Sequence, residues 1–175
     1  MASVLALSAC SKKKSSDVII VDKPLQEQPA KTQTTGNFHR VQDVEWLGAD
    51  YRVVIDRSAD QHLPLAEADE KHKYYDNRIT LTILRSDGSQ FFNRTFTKAD
   101  FGDYLPSDVS DHGALIGFVF DSADGNALSF AVSVGSPDPT SDEYVPLKVR
   151  VSRLGAVSIS RDKRVDAASD EDEGV

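Results

Sequence analysis

The chain has 175 residues and carries 20 basic residues (Lys and Arg) against 28 acidic ones, which gives a formal net charge of −8. A length of this order accommodates one domain of ordinary size with terminal extensions. An acidic chain with an isoelectric point near 4.9 lacks the basic surface that nucleic-acid phosphates require, so we expect no nucleic-acid partner. The single cysteine excludes an intramolecular disulfide and a cysteine-rich zinc site. No apolar run reaches the ~18 residues of a membrane-spanning helix.

The N-terminal segment contains the most informative short motif. Residues 1–9 are small and largely apolar, and they end in Leu7-Ser8-Ala9 directly before Cys10. This pattern resembles a bacterial lipobox, in which small side chains fit the signal peptidase and the cysteine thiol accepts the lipid. The motif predicts residues 1–9 as the remnant of a lipoprotein signal and Cys10 as the lipidated first residue of the mature protein. The membrane is then a partner through the lipid on Cys10.

The residues after Cys10 are typical of a tether. Residues 10–36 are rich in Ser, Lys, Gln, Pro and Thr, apart from the short β-branched run Val18-Ile19-Ile20-Val21. Ser11, rather than Asp, after the cysteine resembles outer-membrane sorting, and the absence of an acidic stretch behind it favours the periplasmic face. We therefore expect a flexible tether over 10–36, and we expect localisation as an outer-membrane lipoprotein of the cell envelope that faces the periplasm.

From residue 37 to residue 164 the apolar residues recur with a period of two. This period predicts β-strands with one face on a core and one in water. Turn residues separate the runs, and one of these turns, Asp87-Gly88, predicts a hairpin of type I′. The pattern predicts about eight strands joined mostly as neighbours in a meander. They cover residues 38–47, 51–57, 78–86, 90–97, 114–121, 127–135, 144–153 and 156–162.

Helical signals are few. Thr97, with Asp100 three residues later, fits a capping pattern for one short turn that ends near Gly102. Residues 65–75 place acidic residues before basic ones, as a helix dipole favours, but they lack an apolar stripe, so a helix and a loop both stay open. We predict an all-β domain over residues 37–164, an antiparallel barrel or two-sheet sandwich with little helix.

Parts of this domain resemble a known family. Residues 79–101, which include the Asp87-Gly88 hairpin and the run FFNRTFTKADF, look like small lipoproteins of Bacteroides and related gut bacteria, and so do residues 128–135 and 144–148. Those proteins form a domain-of-unknown-function family, number 4738, and the similarity covers most of residues 37–162. The resemblance implies an envelope lipoprotein with a β-rich domain, and it transfers no catalytic residue.

The sequence contains no convergent catalytic or metal-binding motif. Its histidines are His39, His62, His72 and His112. None shows the spacing of a metal-binding motif, so we expect each at the surface or in a loop. The run Ser110-Asp111-His112 has the residue types of a triad, but triads assemble in space and adjacency in sequence does not indicate one. We predict no catalytic residue, no metal and no cofactor.

Basic residues gather near the end of the domain. On a strand, Lys148 and Arg150 would share the face opposite Leu147 and Val149. Two interpretations stay open: a surface for an anionic envelope component, such as lipopolysaccharide phosphate or an acidic glycan, and a charged solvent face that keeps a terminal strand from pairing with other chains. The candidate anionic-ligand patch consists of Lys148, Arg150, Arg153, Arg161 and Arg164, with Lys163 beside them.

The last eleven residues, 165–175, carry five acidic groups and no basic one. A like-charged segment with almost no apolar side chain cannot offset the entropy of ordering, so these residues predict a disordered acidic tail.

Together these features predict a lipid-anchored bacterial envelope protein without enzymatic activity. Its β domain would bind a ligand or partner, such as an anionic glycan or an envelope protein, or have a structural role. Two alternatives stay open. A hydrolase acting on envelope polysaccharide needs two carboxylates roughly 5–10 Å apart in a cleft. A lipocalin-like carrier of a small apolar ligand needs an apolar interior cavity.

Overall fold

The computed structural model describes residues 30–163. Within them ten strands and two short helices follow one another along the chain. No helix in this part of the chain is long and apolar enough to cross a membrane. The strands are β1 (Phe38–Trp46), β2 (Ala49–Ala59), β3 (Leu65–Glu67), β4 (Lys73–Tyr75), β5 (Asn77–Arg85), β6 (Gln90–Phe96), β7 (Ala114–Asp124), β8 (Ala127–Gly135), β9 (Tyr144–Ser152) and β10 (Val157–Arg161). The helices are a 3₁₀ helix (Lys98–Tyr104) and α1 (Ser107–His112).

Two four-stranded antiparallel sheets pack face to face. Sheet I has the strand order β1-β2-β5-β6, and sheet II has the order β10-β9-β8-β7. Consecutive strands are neighbours in each sheet, except where the short hairpin β3–β4 is inserted between β2 and β5. The predicted antiparallel meander is therefore confirmed. Over residues 30–163 it forms a sandwich and no closed barrel, because each sheet keeps two edge strands.

The period of two decides which side chains enter the core. On β5, Ile79, Leu81 and Ile83 are fully buried and alternate with the partly exposed Thr80 and Thr82. The apolar residues of β8 and β9 are buried with the same alternation, and the inner faces of the two sheets meet in one core. Burying a side chain of this size stabilises the fold by about 1.5–3 kcal/mol. Apolar burial therefore holds the sheets together.

Phenylalanine rings fill much of the space between the sheets. The ring centroid of Phe118 lies 5.3 Å from that of Phe96 and 5.5 Å from that of Phe130. Phe101, from the 3₁₀ helix, adds to this row with its centroid 6.1 Å from that of Phe96. All four side chains are buried. The 3₁₀ helix is thus fixed to the core by its own aromatic side chain.

Four hairpin turns lie together at one end of the sandwich, which we call the tip end. They join β1 to β2, β5 to β6, β7 to β8 and β9 to β10. The indole Nε1 of Trp46 donates to the carbonyl oxygen of Asp124 at 2.8 Å, which connects the turns of the two sheets. The N–H of Arg153 donates to the carbonyl oxygen of Asn126 at 3.1 Å and connects two turns of sheet II.

The β5–β6 hairpin forms where Asp87-Gly88 predicts it, but the predicted turn type is wrong. A type I′ turn needs positive φ at both central residues, and here Gly88 alone has it, at 82°. The Gly88 N–H donates to the carbonyl oxygen of Arg85 at 2.9 Å, so the turn holds one more residue than a type I′ hairpin loop. The β1–β2 turn does have positive φ at both positions, 55° at Leu47 and 71° at Gly48.

The opposite end, which we call the base, holds the inserted hairpin and both helices. Residues 65–75, for which the sequence left helix or loop open, form the hairpin β3–β4. The predicted cap before the 3₁₀ helix is present, because the carboxylate of Asp100 accepts the N–H of Thr97 at 2.8 Å. Helix α1 was not predicted. It has six residues and none of them is buried, so it has no apolar stripe that a sequence pattern could reveal.

The described chain enters the domain at the base. Ahead of β1, the N–H of Gln33 donates to the carbonyl oxygen of Lys73, and the N–H of Tyr75 donates to that of Gln33, both at 2.9 Å. The hydroxyl of Thr35 is hydrogen bonded to the side chain of Asn77. The last residues of the predicted tether are therefore hydrogen bonded to the sandwich. Strand β10 also ends at the base, beside the 3₁₀ helix.

A buried polar network joins the two sheets at the base. Asp76 Oδ1 accepts the N–H of Leu115 at 2.9 Å and that of Asn77 at 2.7 Å. Asn77 Nδ2 donates to the carbonyl oxygen of Leu115 at 2.9 Å. Lys98 Nζ lies 3.9 Å from Asp76 Oδ2 and donates to the carbonyl oxygen of Gly113 at 2.7 Å. Asp76 and Asn77 stand at the start of β5, and Leu115 stands at the start of β7. The network therefore connects sheet I to sheet II.

Burial raises the pKa of Asp76 above its ordinary value of 3.8, although the N–H groups of Leu115 and Asn77 and the charge of Lys98 oppose this shift. The residue is 1% exposed, so its charged form depends on these partners. A carboxyl group whose pKa is higher in the folded than in the unfolded protein contributes stability at low pH. That contribution is lost as the pH rises through the folded pKa.

We expect Lys98→Met to lower the free energy of unfolding by about 3–5 kcal/mol at pH 7, because the charge of Asp76 would remain buried without a cation. The loss should shrink as the pH falls below the folded pKa of Asp76, where the carboxyl group is protonated. Urea denaturation of both proteins at a series of pH values from 7 downward measures how the difference changes.

The matched control is the same change in an Asp76→Asn background. Lys98→Met should cost less there at pH 7, and its cost should not depend on pH in this way, because no buried carboxylate remains. An equal cost at every pH in the background that keeps Asp76 would contradict the assigned role of the Asp76 charge.

Candidate functional site

Two of the predicted site residues, Cys10 and Arg164, lie outside the described residues 30–163. The remaining four lie on or beside the last hairpin of sheet II: Lys148, Arg150, Arg153 and Arg161. As the alternation predicts, Lys148 and Arg150 occupy the outer face of β9, while its apolar residues face the core.

The two cations on this outer face are paired with carboxylates. Lys148 Nζ lies 3.7 Å from Asp162 Oδ2 and 3.9 Å from Asp121 Oδ2. Arg150 Nη2 lies 2.7 Å from Asp124 Oδ2. The side chain of Lys148 is only 19% exposed, so its charge is directed at these partners more than at solvent. The positive potential that an anionic ligand needs is therefore largely cancelled on this face.

Arg153 and Arg161 do not extend this face. Arg153 lies in the exposed turn between β9 and β10, at the tip end. Arg161 ends β10 at the base, where its Nε donates to the carbonyl oxygen of Tyr104 at 2.9 Å. The structure thus divides the predicted patch. Lys148 and Arg150 share an outer face where carboxylates pair with them, and Arg153 and Arg161 lie at opposite ends of the sandwich. Binding of an anionic ligand by these residues stays a prediction.

Each histidine lies at the surface beside one aspartate. The pairs are His39–Asp56, His62–Asp60, His72–Asp69 and His112–Asp108, with Nδ1 to Oδ1 distances from 2.5 to 3.2 Å. Within residues 30–163 no group of three His, Cys, Asp or Glu side chains is placed to hold a metal ion. The aspartate pairs give each ring a local hydrogen bond, which accounts for the positions of the histidines without a ligand.

An open cleft of about 610 Å³ lies at the base. Its walls come from the β3–β4 hairpin, α1 and the chain segment that leads from β8 into β9. Five carboxylates line it, and we call it the acidic cleft: Glu67, Asp69, Glu70, Asp108 and Glu143. These residues come from three separate parts of the chain, so no sequence pattern gathers them.

Hydrogen bonds keep two carboxyl groups of the acidic cleft ionised. The Lys73 ammonium holds the pKa of Glu67 below its usual range, and the His72 ring does the same for the pKa of Asp69. A general acid for glycoside hydrolysis needs a raised pKa. At these two positions the acidic cleft is arranged to carry negative charge and not to deliver a proton.

Sequence reasoning missed the buried pair of Asp76 and Lys98, which lines a second base cavity of about 300 Å³. The sequence did contain one signal of this polar network, at its member Asn77. Asn77 precedes Ile79 by two residues, so it takes an inward position on β5 where an apolar side chain is expected. Because these polar groups bond backbone atoms of the opposite sheet, their arrangement holds the base together.

The family described as Domain of unknown function (DUF4738) matches residues 19–159. The match covers about four-fifths of the 175 residues, so the chain belongs to this family. The resemblance to family number 4738 is thereby confirmed. The match begins inside the predicted tether and ends within β10, so it includes the residues that dock on β4. No curated protein matches the chain.

We expect Lys148→Glu to lower the free energy of unfolding by about 2 kcal/mol or more, because a third carboxylate would then face Asp121 and Asp162 in a largely buried position. Arg153→Glu, at an exposed turn, is the matched control and should change it by less than about 0.5 kcal/mol. Urea denaturation at pH 7 measures both changes. Equally small losses would show that the carboxylates do not hold Lys148, which would leave its charge free for an anionic ligand.

Proposed function

We propose that this DUF4738 protein is a lipid-anchored bacterial envelope protein, and that its β-sandwich is a binding or structural module without enzymatic activity. The proposal rests chiefly on the sequence Leu7-Ser8-Ala9-Cys10, which puts the single cysteine of the chain at the lipidated position of a lipobox. A diacylated cysteine carries two chains, which suffices for stable membrane attachment. The resemblance to lipoproteins of Bacteroides supports the same assignment.

The fold suits attachment through the N-terminus. The chain ahead of β1 docks on β4 at the base, while the four hairpin turns lie at the tip end. The tip end carries two exposed apolar side chains, Leu47 (51% exposed) and Leu154 (87% exposed). A domain that is attached through its base directs the tip end away from the membrane surface, where these side chains are accessible to other envelope components.

The residues next to the anchor favour the outer membrane and its periplasmic face. Ser11 follows Cys10 in place of Asp, and Lys12-Lys13-Lys14 stands where an acidic stretch would favour the outer surface. The protein is then an outer-membrane lipoprotein that presents its sandwich to the periplasm.

A hydrolase acting on envelope polysaccharide is the second candidate, because the acidic cleft gathers five carboxylates. The hydrogen bonds from Lys73 and His72 lower the pKa values of Glu67 and Asp69, which argues against acid catalysis at these positions. A carrier of an apolar ligand receives less support, because buried phenylalanine rings occupy the space between the sheets. The binding or structural module is therefore the preferred reading of the sandwich.

Cys10→Ser should abolish membrane attachment. In a bacterium that matures lipoproteins, the wild-type chain should incorporate labelled palmitate and sediment with the membranes. The variant should do neither, because a hydroxyl replaces the thiol that accepts the lipid. Fluorography and membrane fractionation measure the two properties.

The control variant combines Cys10→Ser with Ser16→Cys, which keeps one cysteine but moves it out of the lipobox. It should remain unlabelled, because the signal peptidase and the acyltransferase recognise the lipobox and not a cysteine alone. Palmitate on the Cys10→Ser chain, or an unlabelled wild-type chain in the soluble fraction, would overturn lipid anchoring.

A further inference from the structure

Arg57 places a positive charge on the core-facing side of sheet I. On β2 it continues the inward series of Val53 and Ile55, at a position where the alternation predicts an apolar side chain. The strand register puts it opposite Phe38 on β1 and Ile79 on β5. A cation that is partly buried at such a position requires hydrogen-bond partners or a counter-charge.

Within the part of the chain that the structure describes, the guanidinium of Arg57 bonds only to neutral backbone oxygens. Nη1 donates to the carbonyl oxygen of Ile116, and Nη2 donates to those of Thr35 at 3.3 Å and Gly36 at 3.5 Å. Nε is buried and has no hydrogen-bond partner within residues 30–163. The ion pairs found in this part of the chain do not include Arg57.

In this respect Arg57 differs from Lys98, which is the buried cation of the base. Lys98 has the carboxylate of Asp76 at 3.9 Å. Arg57 has no such partner within residues 30–163, and burial lowers its pKa below the ordinary value of an arginine because desolvation disfavours the charged form. An anion that reached the guanidinium would form charge-assisted hydrogen bonds that residues 30–163 do not supply.

Arg57 forms part of the wall of a third base cavity, of about 300 Å³. This volume is at the lower end of the range for small-molecule sites, which fits a body about as large as a monosaccharide or a dipeptide. Tyr74 and Pro137 supply apolar wall, while Ser136 and Ser141 supply hydroxyl groups. A cation, hydroxyls and apolar surface thus meet in one cavity.

The two serine hydroxyls of the lining each keep a hydrogen that can be donated. Ser136 Oγ accepts the N–H of Asp138 at 3.3 Å, and Ser141 Oγ accepts that of Glu143 at 3.2 Å, which leaves the hydroxyl hydrogens to donate. The carboxylate in the lining, Asp138, accepts the N–H and the hydroxyl of Thr140, both at 2.8 Å. Both bonds reach Oδ1, and Asp138 forms no ion pair with Arg57 within residues 30–163, although its negative charge lines the same cavity.

We infer that Arg57, with the hydroxyls of Ser136 and Ser141, binds a carboxylate carried on a body of monosaccharide or dipeptide size in this cavity. A planar guanidinium matches a carboxylate in a two-point hydrogen-bonded pair. A uronic acid of a glycan and the terminal carboxylate of a short peptide share this chemistry. The site rests on the proposed function, since it gives the binding module a ligand class. Membrane attachment does not involve Arg57, so the two can fail separately.

The full-length chain is titrated with D-glucuronate and, separately, with N-acetylalanine, while its NMR spectra are recorded. D-glucose and N-acetylalanine amide are the uncharged controls at equal ionic strength. At least one carboxylate should shift the side-chain Nε–H resonance of Arg57 and the backbone amides of Ser136 and Ser141, and its uncharged control should not. The carboxylate that responds identifies the source of the ligand as glycan or peptide.

Two variants separate binding from folding. Arg57→Lys keeps the charge but loses the planar pair of donors, so the responding carboxylate should bind at least about tenfold more weakly. Ser141→Phe fills the cavity and leaves the contacts of Arg57 in place, so binding should vanish while the amide resonances outside residues 136–144 stay unchanged. The site is overturned if neither carboxylate acts differently from its uncharged control, or if binding survives in Ser141→Phe.

Discussion

The hydrogen bonds between the start of β5 and the start of β7 fix how the two sheets sit on each other. Apolar burial holds the sheets together, but it is non-directional and does not select one alignment. The bonds from Leu115 to Asp76 and from Asn77 to Leu115 do select one, because each buried group has a single partner across the sandwich. Lys98 adds the 3₁₀ helix to this alignment, and Thr35 adds the chain ahead of β1.

This arrangement concentrates polar chemistry at the base. The acidic cleft and the cavity beside Arg57 share Ser136, so a cleft lined by carboxylates lies next to a cavity whose cation has no ion pair within residues 30–163. The tip end combines tight turns and the exposed Leu47 and Leu154 with a cleft of about 430 Å³ whose lining includes Asp50 and Arg85. If the chain is attached through its N-terminus, the acidic cleft and the cavity beside Arg57 lie near the tether, and the tip end carries the exposed apolar side chains.

The sequence predicts those parts of the fold that a single periodic pattern determines. Strands β5, β8 and β9 are predicted well because each buries one face along its whole length. The hairpin β3–β4 is not, since its strands have three residues each and show no period. The alternation along β9 predicts that Lys148 and Arg150 point outward. Their pairing with carboxylates depends on which strands are neighbours, and a single-strand pattern does not show this; the partners are Asp121, Asp124 and Asp162. Arg57 could have been noticed as a charge in an inward series, but the absence of an ion-pair partner within residues 30–163 is visible only in the structure.

Attachment through Cys10 is tested most directly by mass spectrometry of the chain isolated from bacterial membranes. The account predicts that the first peptide of the mature chain begins at Cys10 and carries a diacylglyceryl group on the sulfur. A membrane-derived or soluble chain that retains residues 1–9 and has an unmodified Cys10 would contradict it.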